Sequence, residues 1–288
     1  MNYDSKNLLV DDSELHVLKT RPKLRHYLGE VLSYRHFVSA YARSGAFANG
    51  RDTFLGKIWL ILDPLMQVSI YVVVFGLILN ASRGMDNYVG FLALGVVFFR
   101  FLSKGLNSGA LVIQKSRGLI STFNFPRAAI PISVAFRDIL DSIGPGILAT
   151  AVAVLLQLDG VGMSYSLIIL PVIWILLHIF TTGLTLITAR LTAFVPDFRS
   201  LINLTVRGLF FVSGVFFSMD RFPEESVLRK LVEFNPFFRF LDAVRSCVLD
   251  GSFLDASTWF YLVLSSSLTL LIGFVFFWQG EPRYSHVR

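Results

Sequence analysis

Six stretches of this chain are too long and too apolar for the helices of a water-soluble domain: 58–80, 88–112, 128–158, 164–194, 201–219 and 257–279. About 20 such residues cross the hydrocarbon of a bilayer as a helix. Strands of a membrane barrel would be shorter and would alternate in polarity, and these runs do neither. Composition agrees, with 54% hydrophobic and only 16% charged residues and a mean hydropathy of +0.62. A soluble domain carries about 25% charged residues. The expected fold class is an all-α integral membrane protein with six transmembrane helices.

Charge placement supplies the orientation. Nine Lys and Arg residues precede position 58, Lys115, Arg117 and Arg127 follow the second run, Arg190 and Arg199 follow the fourth, and Arg283 and Arg288 close the chain. The first two loops on the opposite side offer only Arg83. Basic residues stay on the cytoplasmic side, so both termini are expected there, in a multi-pass protein of the cytoplasmic membrane. The net charge of +6 is read as this topology signal and as attraction to anionic lipid, with no nucleic acid as partner.

Residues 1–22 form a polar tail. Across 23–57, Leu24, Tyr27, Leu28, Val31, Leu32, Val38 and Tyr41 recur at helical spacing with Arg25, Glu30, Arg35 and Arg43 between them. That pattern predicts an amphipathic helix lying in the membrane interface or packed on another cytosolic protein. Gly45, Gly50 and Arg51-Asp52 are expected to end it. The transmembrane domain then spans 58–280, with a short cytoplasmic tail at 281–288. Segment 220–256 is too apolar for a solvated loop and too interrupted for a span. Two short re-entrant helices between spans five and six fit it, because irregular backbone at membrane depth must be buried in protein.

Motifs that carry chemistry are scarce in this chain. The single Gly-Lys pair, Gly56-Lys57, has Arg51 where a phosphate-binding loop needs glycine and Ile58 where it needs Ser or Thr. No metal-ligand spacing occurs, and Cys247 has no cysteine partner. No catalytic residue, metal or cofactor is therefore expected in this chain. Arg137, Asp138 and Asp141 lie inside the third run, and charges at that depth mark either a conduit or gate or a structural ion pair. Arg100, Lys104, His178 and Arg207 pose the same alternative. Aromatics are in excess, with 28 Phe, nine Tyr and four Trp. Trp59, Tyr88, Trp259 and Trp278 suit headgroup anchoring. The denser clusters at 98–101, 210–211, 216–217 and 234–240 face either lipid or the C–H faces of sugars.

The stretch Thr53-Phe54-Leu55-Gly56-Lys57-Ile58-Trp59 running to Asp63-Pro64-Leu65 resembles the approach to the first span in permeases of polysaccharide-exporting ATP-binding-cassette transporters. Leu119-Ile120 through Phe125-Pro126-Arg127, Pro196-Asp197-Phe198-Arg199 and Asn235-Pro236 resemble later signposts of that family, in the same order, over roughly 25–280. One departure is Ser44 to Asp52, which contains glycine where many members are more basic. The resemblance implies a transport permease without its own ATPase site, working as two copies with two separate nucleotide-binding subunits that bind ATP. It implies a lipid-linked polysaccharide as passenger, with cell-wall galactan the favoured subgroup and O-antigen or teichoic acid next. A drug or lipid exporter is the nearest alternative, and an enzyme acting on polyprenyl-linked sugar a more distant one. Coupling to the ATPase then falls to Lys115, Arg117 and Arg127. Arg100, Arg137, Asp141, Phe216, Phe217, Phe237 and Phe238 become the conduit candidates.

Overall fold

The computed structural model describes residues 22–48, 58–78, 87–157, 164–219, 223 and 226–286. The polar tail before Pro22, the Thr53–Lys57 motif, Gly50, Arg51-Asp52, Arg83, Phe222 and Glu224-Glu225 lie outside the described residues. Among the described residues all regular structure is helical.

Four helices are long and apolar enough to cross a membrane: α4 (Tyr88–Gly109), α7 (Ala129–Leu155), α8 (Leu170–Phe194, entered through a 3-10 turn at Tyr165–Ile169) and α12 (Ala256–Gln279). The other two runs are built differently. In the first, α3 (Trp59–Tyr71) widens into π-helical turns over Val72–Ile78. In the fifth, α9 (Phe198–Val212) has 15 residues, about 22 Å at 1.5 Å per residue. It stops because Gly214 adopts φ +66°, a left-handed conformation that breaks the helix two residues beyond its last turn.

The long helices meet through small residues. Gly183 of α8 and Gly273 of α12 place their backbones in direct contact, and a Cβ on either would collide with the partner's main chain. Gly105 and Gly109 of α4 do the same against Thr181, Thr185 and Thr188 of α8. Small residues permit this close approach, and packing and hydrogen bonds then hold helices together where lipid removes any hydrophobic drive between them. The Thr185 hydroxyl donates to the Gly105 carbonyl at 3.0 Å. Asn87 caps α4 and also donates to the Ala153 carbonyl of α7 at 2.7 Å.

Ahead of the spans, α1 (Leu24–Ser33) and α2 (Arg35–Ala48) are separate helices meeting at Tyr34. Gly45 does not end α2, as the sequence suggested. Its missing Cβ lets the Arg137 side chain lie across the helix, since a Cβ would sit 3.1 Å from Arg137 Cδ and Nη1. Phe37 near the start of α2 meets Phe125, so α2 climbs beside the first turns of α7. The loop between α4 and α7 folds as α5 (Val112–Lys115) and α6 (Arg117–Thr122).

Segment 226–248 forms α10 (Val227–Glu233) and α11 (Pro236–Val248). Asn235 caps α11 and Pro236 occupies its first position, where a missing N–H costs nothing. The turn between them is not at the surface end of its neighbours. Phe237 meets Phe99 at 5.8 Å and Phe180 at 5.9 Å, eleven residues into α4 and ten into α8, roughly 15 Å from either helix start. The far end of α11 returns to those helix starts, where Ser166 donates to the Cys247 carbonyl and Ser164 to that of Gly251.

Candidate functional site

A cleft of about 670 Å³ opens between α3, α4 and α9. Its polar walls are Asp63, Gln67, Arg100, Ser103 and Arg207, and its rings are Trp59, Tyr71, Phe99 and Phe210. Asp63 and Arg100 pair at 2.6 Å, and both remain partly open to the cleft. Arg207 is exposed and meets no carboxylate among the described residues. The rings continue upward: Tyr71 and Phe99 both contact Phe210, and Phe216 stacks on Phe75 with centroids 4.0 Å apart. Arginine beside flat apolar rings can hydrogen-bond hydroxyls or anions while the rings cover C–H faces.

A second group of charges lies between α4 and α7, one turn along α4 from Arg100. Lys104 pairs with Asp138 at 3.3 Å and Asp141 at 3.5 Å, and Arg137 reaches Asp141 at 3.6 Å. Nearby, Ser142 and His178 share a hydrogen bond of 2.8 Å, and Trp174 donates to Ser142. These groups lie where α4, α7 and α8 meet, and none of them lines the cleft. Charges of opposite sign stand beside one another here, which offsets part of the cost of burying them.

The candidates from the sequence therefore separate. Arg100 lines the cleft, whereas Phe216, 5% exposed, packs behind two of its rings, Tyr71 and Phe210. Arg137 and Asp141 join the network between α4 and α7. Phe237 and Phe238 are core residues, the latter packed with Met219, Val232 and the partly buried Phe217. Lys115 and Arg117 are exposed on α5 and α6, whereas Arg127 is half-buried and paired with Glu281 at 3.3 Å. Burial lifts the Glu281 carboxyl above its ordinary value, against the pull of the Arg127 amide and the Tyr27 hydroxyl. Burial and the neighbouring Glu281 charge raise Tyr27 in turn, so its hydroxyl stays a donor.

Arg245 was not among the residues that the sequence singled out. It is buried in α11 and donates to the Gly214 carbonyl at 2.7 Å, to Val215 at 2.9 Å and to Phe91 at 3.2 Å. Its guanidinium also lies 3.4 Å from the Phe91 ring centroid. By holding the turn after α9 it fixes Phe216 against Tyr71 and Phe210. The available signal was an arginine amid Ala243, Val244 and Cys247 on an apolar helix face. Among the described residues no cluster of His, Cys, Asp or Glu could hold a metal.

The model of the ABC-2 type transporter family matches residues 39–249, well over half of the chain. The chain belongs to the ABC-2 type transporter family. Among its relatives is the O-antigen export system permease protein RfbA of Myxococcus xanthus, 22% identical over 227 residues, which cover 79% of this chain and 85% of the relative. A protein of the same description from Klebsiella pneumoniae is 23% identical over 240 residues, 82% of this chain and 89% of its own length. The polysialic acid transport protein KpsM of Escherichia coli is 26% identical over 234 residues, 79% and 86% of the two chains. The resemblance to polysaccharide-export permeases read from the residues is borne out. As an ABC-2 type transporter this is a multi-pass membrane protein whose family works with an ATP-binding subunit.

Proposed function

We propose that this chain is the membrane subunit of an ATP-driven exporter that moves a lipid-linked polysaccharide across the cytoplasmic membrane. Two copies work with two separate ATPase subunits, and each copy crosses the bilayer six times with both ends in the cytoplasm. In this reading α3 and α9 complete the six spans, α1 and α2 sit at the inner interface, and α10–α11 is a re-entrant pair at the outer side. The observation that carries it is the cleft between α3, α4 and α9. It is lined by rings and arginines, suited to a sliding sugar chain. A drug or lipid carrier would favour a cavity without Asp63, Gln67, Arg100 and Arg207.

ATP binding to the partner subunits shifts the two copies between closed and open states through differential affinity. Lys115 and Arg117 offer the exposed basic surface for docking. Cell-wall galactan is the passenger favoured by the sequence resemblance, with O-antigen and teichoic acid as the other candidates.

The test is depletion of the chain in its own cell, with surface glycan and lipid-linked glycan measured together. Export predicts that one surface polymer disappears while its lipid-linked form accumulates on the inner side; the identity of that polymer names the passenger. Unchanged surface glycan with no internal accumulation sinks the proposal. Charge reversal at Lys115 and Arg117 is expected to weaken ATPase binding with normal membrane abundance.

A further inference from the structure

Past α12 the chain turns back as a 3-10 segment, Glu281–His286, beneath the inner ends of α1 and α7. Glu281 is 3% exposed. Its Oε2 accepts from the Tyr27 hydroxyl at 2.6 Å, and its Oε1 accepts from the Arg127 amide at 3.0 Å and from Arg127 Nη1 at 3.3 Å. The Tyr27 oxygen itself accepts from the Ala128 amide at 3.0 Å. Further ties surround this centre. Trp278 Nε1 donates to the Pro22 carbonyl at 3.0 Å, Tyr284 donates to the Phe277 carbonyl at 2.8 Å, and its ring stacks between Phe277 and Phe194.

One carboxylate and one phenol thus join α1, the end of the α5–α6 loop and the inner end of α12. That loop needs outside support, because α5 and α6 have four and six residues, far below the length at which a helix persists alone. It has two anchors. At its start, Leu111 donates its amide to Thr192 Oγ1 and Gln114 donates to the Thr192 carbonyl, which ties it to α8. At its finish the anchor is Glu281. Between them, Lys115, Arg117, Ser121 and Phe123 face outward.

We propose that Tyr27 and Glu281 are positioning residues for coupling: they clamp α1, the loop and the inner end of α12 into one rigid body. A push by the ATPase on the loop is then delivered to α1 and α12 and not absorbed by two helical turns. Arg127 acts inside this clasp, through Glu281, and not as a docking residue. The inference rests on the proposed function for the identity of the push, whereas the clasp itself is a property of this chain.

The experiment places spin labels at Arg25→Cys and Ser121→Cys, both exposed, with Cys247→Ser to remove the native thiol. Distances are read in the permease alone and in the complex with its ATPase subunit, with and without ATP. The expected result is one narrow distribution, unchanged by ATP, that broadens in Glu281→Ala and Tyr27→Phe. Transport per ATP hydrolysed should fall threefold or more in these variants, while hydrolysis itself continues; Glu281→Gln, which keeps an acceptor for the Arg127 amide, should restore most of it. A purely structural role would lower abundance and leave the ratio unchanged. Should Glu281→Ala fail to fold, Tyr27→Phe, lacking one oxygen, carries the test. A broad native distribution, a native distance that shifts with ATP, or an unchanged ratio in Tyr27→Phe overturns the proposal. A narrow native distribution in a chain that binds no ATPase would overturn the coupling role together with the exporter reading, and would show that the docking, not the clasp, had failed.

Discussion

The block formed by α4, α7, α8 and α12 and the outlying pair α3 and α9 obey different packing rules. In the block, Gly183 against Gly273 and Gly105 against Thr181 bring backbones into contact. Side-chain hydroxyls such as Thr185 and Ser266 bond across to carbonyls of neighbouring helices. By contrast α9 buries only Ile202 within the chain, and Gly208 has nothing within 4 Å of where its Cβ would stand. Helices that dense form a platform with one arrangement, whereas helices touched on one side can tilt or take a partner. The cleft lies where the two kinds meet, with α4 as fixed wall and α3 and α9 as adjustable ones.

The largest effect expected from this contrast is at the crossing of α8 and α12. Gly183→Leu or Gly273→Leu drives side-chain atoms into a main-chain carbonyl, which no rotamer change relieves. Overpacking of this kind costs about 3 kcal/mol or more. Detergent-extracted folded protein, read by fluorescence size exclusion, should fall severely, whereas Gly208→Leu should leave the folded protomer intact. Equal loss at Gly208 would mean that α9 is packed as closely as the block.

A smaller effect separates ring from ring. Phe237 sits in the core between Phe99 and Phe180, so Phe237→Ala should cost about 3–5 kcal/mol and lower abundance with transport in proportion. Phe210 lines the cleft, and each aromatic contact there is worth about 1 kcal/mol. Phe210→Ala should therefore slow export by about two- to tenfold at near-normal abundance. Normal abundance in the Phe237 variant, or proportional loss in the Phe210 variant, would erase the distinction between core and cleft.

That distinction marks where sequence reading stopped. The long helices were legible because hydropathy over twenty residues is a property of the chain itself, and the pairing of Arg137 with Asp141 followed from a spacing of four. Which way Phe216, Phe237 and Phe238 point was not legible, since a phenylalanine facing lipid, sugar or protein has the same neighbours in sequence. Gly45 and Arg245 show the same limit. A glycine read as a helix breaker proved to be a seat for Arg137, and Arg245, which the sequence did not single out, proved to fill the space beside Gly95. Tyr27 and Glu281 are 254 positions apart, and no local pattern announces such a bond.

The smallest predicted effect compares the first turns of α12 and α9. Asp255 accepts from the Thr258 amide at 3.3 Å and from the Ser257 hydroxyl. Those hydrogen bonds hold its carboxyl down at about 2 from an ordinary 3.8. A folded-state value below the unfolded one means that the carboxylate's contribution is complete above about pH 4 and is lost as the pH falls toward about 2. Asp197, at the corresponding position of α9, makes no side-chain capping bond. Thermal unfolding in detergent, followed from about pH 5 downward, should therefore show a slightly shallower acid loss in Asp255→Ala than in the native chain, from a lower starting stability. Asp197→Ala should follow the native curve. The reverse order would place the better-anchored helix start on α9, and the division between a fixed block and adjustable outliers would fail where α12 enters the block.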